Sequence, residues 1–282
     1  MKPAPFAYAR PSSVSDAARL LASHGARARL LAGGQSLMPL MTRRLVRPEL
    51  VIDINRIAGL DAIEILPTYV RMGALVRQEQ ALRSSIVREC IAGLAEALAW
   101  VANPVVRQRG TVAGNLVTNS PGAELPAVAM ALGAEFVLRY PDAEETVSAA
   151  AVLGAGNTVP PNAVVTHVLW PRRAGPAGFY EVARRDGHAP VVSAMVTLND
   201  GDCRVAVSGV CATGLSCPTM ARVIAREFPR PPRTSDLASA LQDDLTGPVY
   251  CDIYSSARYR LEVAPVVSQR AAGIMTLRAP AA

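Results

Sequence analysis

The sixteen residues Thr111-Val-Ala-Gly-Asn-Leu-Val-Thr-Asn-Ser-Pro-Gly-Ala-Glu-Leu-Pro126 constrain the fold more than any other stretch. Ten of them are Gly, Pro, Thr, Ser, Asn or Glu, yet they lie between two apolar runs, Ile91–Val106 and Ala127–Leu138. Irregular backbone inside a core carries polar groups that must find partners, so segments of this composition normally lie at a surface. A polar, glycine-bearing turn held between core elements on both sides suits a polar ligand. The alternative is a connector with ordinary turn chemistry.

A second segment has the same character. Ala28-Arg-Leu-Leu-Ala32 is expected as a short strand, followed by Gly33-Gly34-Gln35-Ser36 and then by the apolar pattern Leu37–Met41. A strand, a double glycine, a serine and a helix start make a phosphate-binding geometry in principle. Glycines let the backbone approach closely, and successive N–H groups form an anion nest. Ser36 is placed to cap the next helix, whose N-terminus favours an anion. The pattern matches neither G-x-G-x-x-G nor G-x-x-x-x-G-K-[ST], so neither nucleotide fingerprint applies. A tight structural turn remains the alternative.

The rest of the chain reads as α/β, then changes rhythm. Helices are expected over Ser15–Gly25, capped by Ser13 or Ser15, and over Gln78–Ser84, Ile86–Val101 and Leu125–Leu132, with Pro126 in the first turn of the last. Asn103-Pro104 breaks the long one. Strands are expected at Leu50–Ile54, Tyr69–Leu75 and Glu135–Tyr140, and Thr146–Val152 and Ala163–Trp170 complete this region. Pro171-Arg-Arg-Ala-Gly-Pro-Ala-Gly178 is the best domain-boundary candidate. Beyond it, Phe179–Arg184, Val191–Leu198 and Cys203–Gly209 read as strands, the last two joined by the hairpin signal Asn199-Asp-Gly-Asp202. Thr219–Glu227, Ser235–Asp244 and Ala257–Ala271 read as helices. A length of 282 residues suits about two domains.

Composition removes several function classes. The net charge of +6 is scattered over arginines, and Lys2 is the single lysine, so nucleic-acid binding has no basic block to rest on. No run approaches the ~18 apolar residues of a membrane span, and the N-terminus lacks a signal-peptide core. The expectation is a cytoplasmic protein. Five scattered cysteines without a C-x-x-C give no disulfide framework, zinc site or iron–sulfur cluster. There is no G-x-S-x-G. His24 lies near a helix end, facing solvent, His167 lies in a strand, and His188 lies in the turn Asp186-Gly187-His188; none has an evident catalytic partner. Arg184-Arg185 can face an anionic cofactor, a carboxylate or water. Two polar glycine segments in a chain without its own acid–base kit suggest cofactor carriage more than self-contained bond making.

Taken together and in order, Ala32-Gly-Gly-Gln-Ser36, Val51-Ile-Asp-Ile-Asn55, Met72-Gly-Ala-Leu75, Arg107-Gln-Arg-Gly-Thr-Val-Ala-Gly-Asn115 and Ser120-Pro-Gly-Ala-Glu-Leu-Pro126 resemble the FAD-binding medium subunit of molybdenum hydroxylases, the carbon monoxide dehydrogenase and xanthine dehydrogenase group. Phe179-Tyr-Glu-Val-Ala-Arg-Arg185 and Ser255-Ser-Ala-Arg-Tyr-Arg260 extend the resemblance over essentially the whole chain. The resemblance implies an α+β protein: a two-subdomain FAD-binding fold of the vanillyl-alcohol-oxidase (PCMH) type, with subdomains at 1–56 and 57–174. A C-terminal domain of antiparallel sheet and helices would follow at 178–282.

It also implies the site. Leu30, Leu31, Ala32, Gly33, Gly34, Gln35, Ser36 and Leu37 would form the first pyrophosphate loop. Thr111, Val112, Ala113, Gly114 and Asn115 would form the second. Glu124 stands where the family directs an acidic residue at FAD, and Val165 and Glu181 complete the implied set. This chain departs from the family in having Ala113 where Gly is frequent, Asn119-Ser-Pro121 where many bacterial relatives have Ala-Asp-Pro, and Glu181 where relatives often carry a lysine near the flavin. That glutamate reverses a local charge and, near N1, would disfavour a reduced anionic flavin.

The division of labour implied by the resemblance places substrate oxidation in a molybdopterin-binding large subunit and two [2Fe–2S] clusters in a small subunit. This chain would take those electrons onto FAD and pass them to an external acceptor, within a dimer of heterotrimers (a heterohexamer). Two other readings stay open: a stand-alone flavin oxidoreductase of the same fold, and a flavin-free scaffold subunit.

Overall fold

A computed structural model describes residues 2–154, 159–172 and 175–279 of the chain. Its first layer is small. Strand β1 (Ala7–Ala9) leads to helix α1 (Val14–His24), which Ser13 caps by accepting the Asp16 N–H at 3.1 Å. Strand β2 (Ala28–Leu31), helix α2 (Leu37–Thr42) and strand β3 (Leu50–Asp53) follow. The three strands form a parallel sheet in the order β1-β3-β2. Parallel strands need crossover connections, and here α1 and the turn with α2 supply them. All of β3 is buried, as a central parallel strand should be.

The second layer is a five-stranded sheet in the order β4-β5-β8-β6-β7. Its first strands are β4 (Ile63–Ile65), which sequence periodicity did not reveal, and β5 (Tyr69–Gly73). Six short helices follow: α3 (Gln78–Arg83), α4 (Ser85–Cys90), α5 (Leu94–Trp100), α6 (Pro104–Arg107), α7 (Val112–Thr118) and α8 (Glu124–Leu132). Strands β6 (Glu135–Arg139) and β7 (Glu144–Ser148), helix α9 (Ala149–Leu153) and strand β8 (Val164–Pro171) complete the layer. The helix expected over Ile86–Val101 is two helices. Gly93 breaks it with a φ of +79°, and a side chain there would run into Met195 and Ala177. Tertiary packing overrides the helical pattern at that point.

The third layer is antiparallel. Strands β9 (Ala177–Val182), β10 (Val192–Asn199), β11 (Asp202–Ser208) and β12 (Leu215–Ser216) lie in the order β12-β11-β10-β9. Asp200 and Gly201 both take positive φ at the β10–β11 hairpin, as the Asp-Gly signal requires. Helices α10 (Pro218–Glu227), α11 (Thr234–Asp244) and α12 (Ala257–Leu277) follow. The last runs past the Ala271 expected for it and carries Pro265 inside. The boundary candidate Pro171–Gly178 falls partly outside the described residues, at 173 and 174.

Alternation along β9 and β10 decides how the layers meet. Phe179, Met195 and Ala206 face the helices of the second layer and share a core with Leu98, Leu125 and Phe136. Ala194, Val196 and Val207 face the other way, against Ala264, Val267 and Ala271 of α12. Helix α8 lies across β10 and β11, and its nine residues are all buried. The start of α8 is therefore pinned between the second and third layers.

Gly178 measures the closeness of the α12 packing. A Cβ there would run into the Ala271 carbonyl and lie 2.6 Å from the Met275 nitrogen. Gly178→Ala is expected to cost about 1–3 kcal/mol, the usual scale of overpacking, as a lowered urea midpoint with an unchanged slope. An unchanged midpoint would show that α12 packs more loosely than described.

Candidate functional site

The two polar segments singled out by composition meet backbone to backbone. After β2 the chain passes Gly33 and turns at Gly34, whose φ is +73°. A Cβ on Gly33 would run into the Arg109 carbonyl and lie 2.9 Å from the Gly110 Cα. Beside this contact the edge of the second layer continues in irregular form: Gln78 donates its N–H to the Gly110 carbonyl at 2.9 Å, and Val112 donates to Val76 at 3.0 Å.

The stretch 111–126 is not the polar turn its composition suggested. Thr111 caps α7 by accepting the Gly114 N–H at 2.9 Å. The helix ends at Asn119, which adopts φ +42°. A tight turn follows, closed by the Ala123 N–H on the Ser120 carbonyl at 2.9 Å, and α8 begins at Glu124. The polar residues are there because two helix ends and one turn each need them. Ser36, by contrast, occupies the cap position of α2 without a capping hydrogen bond.

A polar strap lies under the glycine turn. Asn55 Nδ2 donates to the Leu31 carbonyl at 3.2 Å, the Ala32 carbonyl at 2.9 Å and Asp53 Oδ1 at 2.7 Å. Arg77 donates to Asn55 Oδ1 at 2.7 Å and to the Arg109 carbonyl at 2.8 Å, so one guanidinium ties the first segment to the second. Burial, then the neighbouring Arg109, lowers the Arg77 pKa. Burial pushes Asp53 upward, but the Tyr8 hydroxyl and the Asn55 donors outweigh it and hold the carboxyl below its ordinary value.

Above the strap lies a cleft of about 410 Å³. Of the residues implied for the first segment, Leu30, Ala32, Gly33, Gly34, Gln35, Ser36 and Leu37 line it. Of the second, Thr111, Ala113, Gly114 and Asn115 do, and Glu124 and Val165 join them. Three implied residues do not. Leu31 faces a neighbouring pocket beneath the turn, with Asp53, Asn55 and Arg77. Val112 is fully buried in the core. Glu181 sits in β9 and does not reach the cleft surface.

The cleft also takes in residues that the motifs left out. Gln78 lines it with an Oε1 that has no partner, as does Asn115 with its Oδ1. Val101, Ala102 and Val106 form an apolar wall, and Gly187 and Ala189 bring in the β9–β10 connection. A turn signal at Asp186-Gly187-His188 was present in the sequence, but nothing there says which cavity the turn borders. Arg184 lies 5.6 Å from the centre of the Tyr254 ring, Arg185 and His188 are exposed, and His24 and His167 are half-buried. Among the described residues no cluster of His, Cys, Asp or Glu is arranged to hold a metal.

Electrostatically the cleft has one unusual wall. Glu124 is 4% exposed and its pKa is pushed up to about 7, by burial, against the opposing pull of its own backbone N–H. Glu181 is also 4% exposed and is pushed up to about 8, first by burial and second by Glu124.

Comparison with known proteins gives the same outline. Residues 4–173 match the family described as the FAD binding domain in molybdopterin dehydrogenase. The chain is 33% identical to the 6-hydroxypseudooxynicotine dehydrogenase complex subunit alpha of Paenarthrobacter nicotinovorans, over 96% of this chain and 94% of that one. It is 31% identical to the carbon monoxide dehydrogenase medium chain of Afipia carboxidovorans, over 96% of each. It superposes on a chain of the carbon monoxide dehydrogenase structure from Hydrogenophaga pseudoflava with a TM-score of 0.90 and 30% identity, covering 99% of this chain and 100% of that one. No helix among the described residues is long and apolar enough to cross a membrane.

The two carboxyls set a pH dependence opposite to that of salt-bridged acids. Folded, they hold protons that the unfolded chain releases above its ordinary carboxylate value of 4.5. Their stabilising contribution is therefore complete below 4.5 and is lost as pH rises through about 7 for Glu124 and about 8 for Glu181. The urea midpoint of the purified chain is expected to fall across that window, and to fall less in Glu181→Gln. Equal slopes in the two proteins would remove Glu181 from the account.

Proposed function

Because the chain belongs to the family of FAD-binding domains of molybdopterin dehydrogenases, we propose that the cleft between the 33–37 turn and α7 holds FAD. We further propose that the chain carries electrons within a heteromeric molybdenum hydroxylase of the cytoplasm. The observation that carries this reading is the convergence of Gly33–Leu37 and Thr111–Asn115, 75 or so positions apart in sequence, on one cleft.

The residues present fit the cofactor. A pyrophosphate needs backbone N–H groups at close range, and the Gly33–Gly34 turn provides the approach that a side chain would deny. The space beside Gly114 is open except for Thr111, whose hydroxyl would lie 2.6 Å from an added Cβ. Leu30, Ile54, Val101, Val106 and Val165 offer apolar walls to planar rings. The unpartnered amide oxygens of Gln78 and Asn115 are suited to accept from ribityl or ribose hydroxyls. The Ala113 methyl also lines the cleft, so this departure from the family's glycine would narrow the site rather than close it. Bound FAD would supply a carrier that can take up electrons one at a time and hold two.

The wider assignment is part of the same proposal. Three units, 1–56, 57–174 and 178–282, would act as two FAD-binding subdomains and a flavoprotein C-terminal domain. Substrate would be oxidised at a molybdopterin centre in a large subunit, and electrons would arrive through [2Fe–2S] clusters of a small subunit. An external acceptor would receive them, in a dimer of heterotrimers. The relatives support the subunit character, since one is a dehydrogenase complex subunit and the other a medium chain.

The purified chain, reconstituted with FAD and desalted, is expected to retain FAD in equimolar amount, read from its absorption. Gly114→Val is expected to lose it while keeping the wild-type circular dichroism, because a branched side chain would displace the Thr111 cap and fill the approach. Full retention in Gly114→Val would take α7 out of the site, and no retention by the wild type would overturn the flavin reading itself.

A further inference from the structure

The turn that leaves α2 gathers positive charge. Arg43, Arg44 and Arg47 follow the helix closely, and all three are exposed, as is Lys2. Two hydrogen bonds hold the group together. Arg44 Nε donates to the Lys2 carbonyl at 3.3 Å, and Arg47 Nε donates to the Arg44 carbonyl at 3.2 Å. Among the described residues none of the four cations pairs with a carboxylate. Glu49, the nearest acid in sequence, is taken by Arg27 at 3.1 Å. In a chain of net charge +6, four uncompensated cations in one place are a large share of the excess. Two large apolar side chains accompany them. Leu45 is 70% exposed and Leu40 38%, and the Leu45 N–H donates to the Leu40 carbonyl at 2.9 Å.

Local structure does not account for the grouping. Cations suit the C-terminal end of a helix, but α2 has six residues and a correspondingly small dipole, and Arg47 lies beyond it. Arg44 takes a φ of +59°, which fits glycine best, so its side chain is carried at a conformational cost. Four like charges on one turn also repel one another, and an oppositely charged surface removes that cost. The position of the turn says what the surface serves. Leu37, the first residue of α2, lines the cleft together with Ser36, and α2 is about 9 Å long at the usual helical rise. Val117 of α7 lines the cleft and is 41% exposed, so the cleft opens on this side. Thr118 Oγ1 donates to Ser36 Oγ at 3.4 Å across the opening. The basic turn therefore stands one short helix from the cleft mouth. An anionic membrane attracts cations too, but lying on a membrane takes a long amphipathic face, which six residues do not supply. Guanidinium groups beside exposed leucines match a protein surface with carboxylates around an apolar pocket.

We propose that Lys2, Arg43, Arg44 and Arg47, with Leu40 and Leu45, form the docking surface for an acidic protein that delivers electrons to the cleft. The partner presents Asp and Glu side chains around an apolar pocket that receives Leu45. This step rests on the flavin reading, under which an iron–sulfur protein is the donor and must come close to the cleft mouth. The arginines set the approach and register of the partner, and Leu45 supplies the contact from which water is excluded. Docking itself makes and breaks no covalent bond, and each electron the donor loses is gained at the cleft.

The test uses the complex isolated, through a tag on this full chain, from cells that express it. With Leu45→p-benzoylphenylalanine and photolysis before purification, position 45 is expected to join a peptide rich in Asp and Glu, in a protein that carries an iron–sulfur cluster. A neutral or basic peptide, a protein without a cluster, or no joined protein at all overturns the proposal. Arg43→Glu combined with Arg47→Glu is expected to cut retention of that protein at moderate salt roughly tenfold, with FAD content and circular dichroism unchanged. Arg44→Gly separates docking from folding. It suits the φ of +59°, so its urea midpoint is expected to be no lower than that of the wild type while retention falls. Wild-type retention in these variants overturns the proposal. So does sedimentation with phosphatidylglycerol–phosphatidylcholine vesicles, lost in the double variant, where no iron–sulfur protein is joined; that outcome assigns the patch to a membrane. FAD content, read by absorption, keeps the two readings apart. Docking by a chain that holds no FAD keeps the surface and removes the flavin reading, and bound FAD with unaltered docking in the variants does the reverse. If the double variant does not fold, Arg44→Gly and the joined peptide decide the matter.

Discussion

The close passage of Gly33 against Arg109, Gly110 and Thr111 is the contact on which the rest of the cleft depends. It joins the turn after β2 of the parallel sheet to the connection between α6 and α7 of the second layer, with no side chain between them. Hydrophobic burial alone would not place two sheets so closely at this point, since both segments are polar. Directional bonds do it instead. Asn55 holds the end of β2 through two carbonyls, and Arg77 spans from Asn55 to the Arg109 carbonyl. Charged donors on neutral acceptors are worth more than ordinary hydrogen bonds, and the Arg77–Asn55 bond is partly buried. The strap thus sets the cleft before any ligand arrives, which lowers the ordering cost of binding.

The second constraint is the burial of α8. Its nine residues fill the junction between the second and third layers, so its first residue, Glu124, has little freedom to move toward solvent. The helix N-terminus favours a negative charge there, while burial opposes it, and burial prevails. The third layer thus does more than cap the core. Through Gly187 and Ala189 it closes one side of the cleft.

Much of this was legible in the chain, for reasons that can be named. Local signals worked where one interaction decides the outcome: Ser13 as a cap, Gly25 after α1, and Asp200-Gly201 at the hairpin. The motifs carried the family and most of the cleft lining, because close backbone approach demands glycine whatever the surroundings. They failed where the outcome depends on distant partners. Gly93 splits a helix because Met195 and Ala177 arrive from another layer. Leu31 and Val112 lie within the motifs but point away from the cleft, since neighbouring residues in a strand or helix face different sides. Thr111–Pro126 reads as a turn by composition and is mostly helix, because cap and turn residues share the same chemistry. Gln78 and the wall of Val101, Ala102 and Val106 carried no signal that singled them out; only the fold brings them to the site.

The central claim is that the 33–37 turn, α7 and the start of α8 enclose one FAD. Hydrogen–deuterium exchange on the full chain, with and without FAD, tests it most directly. The account predicts that FAD slows exchange in three separated segments, 32–37, 111–118 and 120–125, and leaves the outer face of α12 unchanged. Protection confined to one of these segments, or centred on the α10–α12 region, would contradict it.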